Sequence, residues 1–114
     1  MNKKYRLRKK KEFDYTYKRG RSYANSCLVL VYRKTGQGVS RVGFSVSKKF
    51  GNAVARNKIK RRLKEIYRKR IDRIKTGYDL IFIVRIGARK ADFLRLEDQL
   101  ERLLKRAALL KDEG

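Results

Sequence analysis

The sequence predicts a single α+β domain over residues 1–114, with its elements in the order αβββαβα around one mixed sheet. Three observations predict it. Residues 52–74 and 92–110 carry apolar side chains at helical spacing. Residues 25–34, 39–48 and 78–86 alternate, or run continuously apolar, as strands do. The chain has 114 residues and is 41% hydrophobic, enough for one core, since a domain of this size buries roughly two-thirds of its unfolded surface.

Residues 8–19 read as a short helix. Phe13 and Tyr17 lie four apart on one face, and Gly20 after Lys18-Arg19 is a common stop. Residues 21–24 read as a short strand. Residues 25–34, NSCLVLVYRK, are β-branched and aromatic. Thr35-Gly36-Gln37-Gly38 reads as a hairpin turn into residues 39–48. There Val42, Phe44 and Val46 face one way, and Gly43, Ser45 and Ser47 the other. Asn52 is a candidate N-cap for a long helix ending near Ile74. Its stripe is Ile59, Leu63, Ile66 and Ile74, with Tyr67 and Ile71 at the edge. Thr76-Gly77 ends that helix. Residues 78–86, YDLIFIVRI, are apolar on both faces in the middle, which predicts a central strand. A loop over 87–90 leads to the last helix, lined by Phe93, Leu96, Leu100, Leu103, Leu104 and Ala107.

Composition narrows the function. The chain has no His and one Cys. That excludes imidazole acid–base chemistry, His-containing metal sites, an internal disulfide and a cysteine zinc cluster. No apolar run is long enough to span a membrane, and the basic N-terminus is followed by no apolar signal core. A reduced, cytoplasmic location is expected. There are 34 Lys and Arg against 11 Asp and Glu, a formal net charge of +23. The excess is uneven: residues 1–34 carry net +10, residues 35–75 net +12, and residues 76–114 net +1. A cationic first two-thirds suggests a polyanion partner, with nucleic acid ahead of an acidic membrane surface. No helix here sets an aromatic anchor opposite a lysine face, as a membrane surface binder would.

The charge concentrates on the long helix. On a helical wheel Asn57, Arg61, Lys64 and Arg68 fall opposite the apolar stripe, with Arg56 and Lys60 beside them. Lys48 and Lys49 stand just upstream, near a helix N-terminus with free N–H groups. Arginine offers planar forks for phosphate, and Asn57 can hydrogen-bond a base edge or a sugar. A merely solvated basic face is the plainer alternative.

The run from Phe44 to Arg61, FSVSKKFGNAVARNKIKR, resembles the signature of the bacterial ribonuclease P protein family. The hallmark segment stands here as Arg56-Asn57-Lys58, with Lys58 where Arg is commoner, followed by Ile59-Lys60-Arg61. The likeness extends to RLRKKKEF near the start and GYDLIFIVR before the last helix. It implies a four-stranded mixed sheet with a left-handed βαβ crossover, similar to the second domain of ribosomal protein S5 and contrary to the usual hand.

The resemblance also implies a function: a subunit of the endoribonuclease that removes the 5′ leader from precursor tRNA. In that family the RNA subunit is the catalyst and holds the Mg²⁺ ions, and the protein has no catalytic residue. The implied partners are the catalytic RNA and precursor tRNA, with no membrane and no small-molecule substrate. The RNA-subunit surface would comprise Lys48, Lys49, Asn52, Arg56, Asn57, Lys58, Lys60, Arg61, Lys64 and Arg68. The leader would lie between the first helix and the sheet, against Phe13 and Tyr17, with Lys9, Lys10, Lys18, Ser45 and Ser47 around them. Tyr17 stands where Phe is commoner. From spacing alone, Phe13 and Tyr17 read as core packing of an amphipathic helix before they read as a stacking pair; the resemblance reverses that order. Two rivals remain at this point: a basic ribosomal protein of similar split α/β topology, and an autonomous nuclease. Against the nuclease, no D-x-D or D-x-x-E pair lies in an apolar strand. Asp79, the one acid in a predicted strand, reads as a strand-start residue before it reads as a metal ligand.

Overall fold

A computed structural model of the chain describes residues 1–111; the end of the expected 1–114 domain, residues 112–114, lies outside the described residues. The helices are α1 (Lys10–Arg19), α2 (Ala53–Arg68) and α3 (Phe93–Arg106). The strands are β1 (Arg21–Ala24), β2 (Leu28–Lys34), β3 (Arg41–Val46) and β4 (Tyr78–Val84). Their order is αβββαβα, as expected. They form one sheet in the order β1-β2-β4-β3. β4 pairs antiparallel with β2 and parallel with β3, so the sheet is mixed and β3–α2–β4 is its crossover unit.

Residues 35–38 are not a hairpin turn. β4 is inserted between β2 and β3, so the loop after β2 crosses the start of β4 instead of joining paired neighbours. The N–H groups of Thr35 and Gly36 donate to the Gly77 carbonyl at 2.7 and 3.4 Å. Gly36 and Gly77 take φ of +74° and +89°, which glycine adopts without steric cost. The apolar pattern of β4 requires this central place, with partners on both edges and cover on both faces.

Most boundaries shift inward for local reasons. α1 starts at Lys10, not residue 8, because the preceding segment is extended along β3: the Leu7 N–H donates to the Val42 carbonyl at 2.9 Å. β2 starts at Leu28 because the Asn25 side chain accepts from the N–H groups of Cys27 and Leu28, bending the chain there. β3 stops at Val46, so Ser47 falls outside the strand. β4 stops at Val84, and residues expected as a loop form a short 3-10 helix, Ile86–Lys90. α2 ends at Arg68, well before Ile74. The Arg70 guanidinium donates to the Ile66 carbonyl at 3.0 Å and reaches Glu97 and Glu101 on α3. That interaction satisfies an orphan carbonyl of the last turn, and Ile74 then pairs with Leu110 in an isolated bridge. The same bridge draws residues 107–110 out of α3. The expected cap holds: Asn52 accepts from Ala55 N–H at 2.9 Å. Asp92, expected as the first residue of the last helix, instead caps it, accepting from Arg95 N–H at 2.8 Å.

The two faces of the sheet are covered unequally. On one, Leu28, Leu30, Val42, Leu80, Phe82 and Val84 pack against Ile59, Leu63 and Ile66 of α2 and Leu96, Leu100, Leu103 and Leu104 of α3. Tyr67, expected at the edge of the α2 stripe, is in this core, 2% exposed, and burial pushes its phenol up. Cys27 is buried with its thiol free. On the other face, among the described residues, only α1 and the Leu7 segment lie over the sheet, and the cluster is small: Leu7, Val31 and Ile81, with Phe13, Val29 and Ile83 at its margin.

Candidate nucleic-acid interface

The basic surface begins where β3 ends. Ser47 leads into a 3-10 turn, Lys48–Phe50, that buries Phe50 and leaves Lys48 and Lys49 exposed. Asn52 then caps α2, and the helix presents Asn57, Lys58, Arg61 and Arg68 to solvent. Among the described residues, the ion pair formed by this ladder is Arg68 with Glu65, at 2.7 Å and mostly exposed. Such a pair contributes little and is open to exchange for phosphate. Arg56 is not fully outward. It sits on the flank of the buried stripe and donates to the Gly51 carbonyl at 2.8 Å, tying down the turn before α2. Val54, Asn57, Lys60, Arg61 and Lys64 line one open groove along the helix.

Lys60 and Lys64 are half-buried, turned toward β3. With Arg6, Leu7, Phe13, Val42, Gly43 and Phe44 they line a cavity of about 150 Å³. Burial first, then the like charges of Arg6 and Lys60, pushes the Lys64 amine below its ordinary range. A group destabilised in its charged form by neighbouring cations is relieved by an anion. Arg6 was not among the expected site residues. The single apolar Leu7 between Arg6 and Arg8 is the local pattern that could have marked an extended stretch there.

The second surface is the partly covered face of the sheet. Phe13 lies directly on Gly43: a Cβ there would stand 2.3 Å from the ring. Tyr17 is 41% exposed, with its ring centroid 6.4 Å from that of Phe13 at 52°. Phe13 therefore serves both readings, since its ring closes the small cluster and also walls the cavity. Ser45 shares the face, half-exposed beside Ile83 of β4. Ser47, one residue beyond the strand, is extended and exposed. Lys9, Lys10 and Lys18 are exposed, with Lys18 beside Tyr17 on the groove of α1.

At the other end of this face is an ion network absent from the expectations. Asp79 is 1% exposed. Arg41 binds it in fork geometry, Nε to Oδ1 and Nη2 to Oδ2, both at 2.9 Å, and Arg33 adds a third bond at 3.1 Å. Arg41 also donates to Glu12 of α1. Burial pushes the Glu12 carboxyl up, but the Lys9 N–H and the Arg41 guanidinium outweigh it and hold the group below the ordinary range. Among the described residues no group of three or more His, Cys, Asp and Glu side chains is placed to hold a metal ion. No helix of the described residues is long and apolar enough to cross a membrane.

A cationic helix face that meets an aromatic, partly open sheet face at a shared cavity defines an RNA-binding protein of the α+β class. The family model described as Ribonuclease P matches residues 1–108. The chain is 47% identical over 105 residues to the ribonuclease P protein component of Clostridium botulinum (strain 657 / Type Ba4), covering 91% of this chain and 95% of that one. It is 45% identical over 101 residues to that of Clostridioides difficile (strain 630), covering 88% and 89%. The RNase P protein structure from Staphylococcus aureus superposes with a TM-score of 0.87 at 38% identity, covering 94% and 98%. That from Thermotoga maritima gives 0.82 at 37%, covering 96% and 98%. The chain belongs to the ribonuclease P protein family. It is a subunit of an endoribonuclease holoenzyme that acts in tRNA 5′ processing, with ribonuclease P RNA and precursor tRNA as its general partners. The ribosomal-protein alternative gives way to that assignment.

Proposed function

We propose that the protein brings two RNAs together through two adjoining surfaces and leaves the chemistry to the catalytic RNA. The α2 ladder, Lys48, Lys49, Asn52 and Arg56 through Arg68, binds that RNA. The face between α1 and the sheet takes the single-stranded leader of precursor tRNA, with Phe13 and Tyr17 as a stacking platform flanked by Lys9, Lys10, Lys18 and Ser45. Aromatic faces hold unpaired bases without demanding a sequence, at roughly 1–3 kcal/mol per base. The observation that carries the reading is the cavity shared by Phe13, Lys60 and Lys64: the two surfaces are continuous, so leader and catalytic RNA meet on one protein.

The acidic side chains support the division of labour. Asp79 is engaged by two arginines and Glu12 by one. Glu97 and Glu101 face Arg70 and Arg73. A Mg²⁺ site wants one or two carboxylates free to coordinate in octahedral geometry, and these four are held by arginine instead. In this reading Mg²⁺ belongs to the RNA. The protein supplies fixed positive charge at the leader, which replaces part of the ionic screening and holds the substrate in register. A Mg²⁺ titration of single-turnover precursor cleavage tests this. With the protein present the midpoint falls; an unmoved midpoint contradicts the electrostatic account, as does cleavage by the protein without RNA.

A further inference from the structure

Asp79 is the most deeply buried carboxylate described, and the reading above gives it no task. Its two arginines end differently. Both reach α1: Arg33 lies over the Tyr15 ring, 4.5 Å from its centroid, whereas Arg41 passes a charged connection to Glu12. α1 has ten residues, too short to be stable alone in water, and of its side chains only Thr16 is fully buried. Its place on the sheet therefore depends on few contacts. Two are adjacent: Glu12 meets Arg41, and the next residue, Phe13, meets Gly43, which is two positions along the same face of β3. Glu12 also accepts from the Lys9 N–H at 3.0 Å, so the same carboxylate starts the helix and ties it down.

We propose that Arg41, anchored by Asp79, is a positioning residue for the leader: its grip on Glu12 fixes the height and tilt of α1, and so the spacing between the Phe13/Tyr17 wall and the sheet. This rests on the leader reading of that face. Arginine suits the task because its planar fork binds Asp79 with Nε and Nη2 and leaves Nη1 for Glu12. Lysine cannot hold both carboxylates in fixed geometry. Neither Arg41 nor Glu12 need touch RNA.

The sign of the effect separates positioning from plain electrostatics. Glu12→Gln removes a negative charge from a surface that binds a polyanion, so electrostatics alone tightens every RNA. Gln retains an acceptor for the Lys9 N–H, but its neutral amide holds Arg41 weakly. In the holoenzyme assembled with ribonuclease P RNA, dissociation constants for precursor and mature tRNA are measured for the native protein, Glu12→Gln, Arg41→Lys and Phe13→Ala. The expected result is a loss of roughly tenfold in precursor affinity for Glu12→Gln and Arg41→Lys, with mature tRNA unchanged. The precursor-to-mature ratio is the readout, because a smaller folded fraction lowers apparent affinity for both tRNAs alike. If Phe13→Ala erodes the ratio and the other two do not, or if Glu12→Gln tightens both tRNAs, the positioning role is wrong and the leader face stands. If none of the three moves the ratio, the leader face itself is wrong.

Discussion

The two faces of the sheet were built for different ends, and their contrast explains how so small a basic chain folds and still binds RNA. One face is closed by two helices with leucine, isoleucine and aromatic side chains wholly out of water. The other is closed only in part, by one short helix whose exposed residues are mostly lysine, arginine and tyrosine. Like charges crowd the first two-thirds of the chain, and crowding of that kind opposes compaction. The closed face supplies the hydrophobic burial that offsets it. The open face keeps apolar surface thin, which leaves the sheet accessible there.

The contrast can be broken from either side. The largest effect is expected on the closed face: Phe82→Ala removes a fully buried ring and costs about 3–5 kcal/mol of stability, read from a urea titration. On the open face Tyr17→Ala leaves stability within ~0.5 kcal/mol, as surface substitutions do, while precursor tRNA loses about 1–3 kcal/mol of affinity. Comparable destabilisation by both variants would erase the distinction. A smaller effect is expected for Arg61→Ala, which is exposed and without an ion pair among the described residues. Its loss removes one phosphate contact, so the slope of log K against log salt for the catalytic RNA falls by roughly 0.9. An unchanged slope removes Arg61 from the ladder.

The smallest effect is on acid stability. Glu12 and Glu101 both have carboxyls held below the ordinary range. Burial opposes this in each case. In Glu12 the Lys9 N–H and Arg41 prevail, and in Glu101 the charges of Arg70 and Lys105 do. A depressed folded-state value contributes stability above the unfolded pKa that is lost as pH falls through the folded one. The urea midpoint should therefore drop below about pH 4, the ordinary glutamate range, and the drop should be shallower in Glu12→Gln. An identical acid profile for the two proteins contradicts the Glu12 assignment.

The same division governs what the sequence could tell. The closed face was legible because burial writes periodicity: Ile59, Leu63 and Ile66 on α2, the leucines of α3, and the two-sided apolar run of β4 all stand where the pattern put them. Capping by Asn52 was legible because it is local. Contacts between distant residues were not. Ile71 and Ile74 continue the period of α2, and nothing nearby announces that Arg70 will turn to Glu97 and Glu101 and end the helix. The loop at 35–38 has hairpin composition, but the demand of β4 for two neighbours overrides it. Arg56 lies on the flank of the apolar stripe, which a wheel can show, yet its bond to the Gly51 carbonyl depends on the turn before the helix. Asp79 carried a signal of unusual placement without its partners, because Arg33, Arg41 and Glu12 come from three other elements.

The central claim is that the open face reads the leader and the α2 face reads the catalytic RNA. The most direct measurement crosses the two: the affinity of Tyr17→Ala and Arg61→Ala proteins for ribonuclease P RNA, and of their holoenzymes, at saturating RNA subunit, for precursor and mature tRNA. The account predicts that Tyr17→Ala lowers only precursor affinity and Arg61→Ala lowers only affinity for the catalytic RNA. If either variant weakens both kinds of binding alike, the two faces form one undivided RNA surface and the account is contradicted.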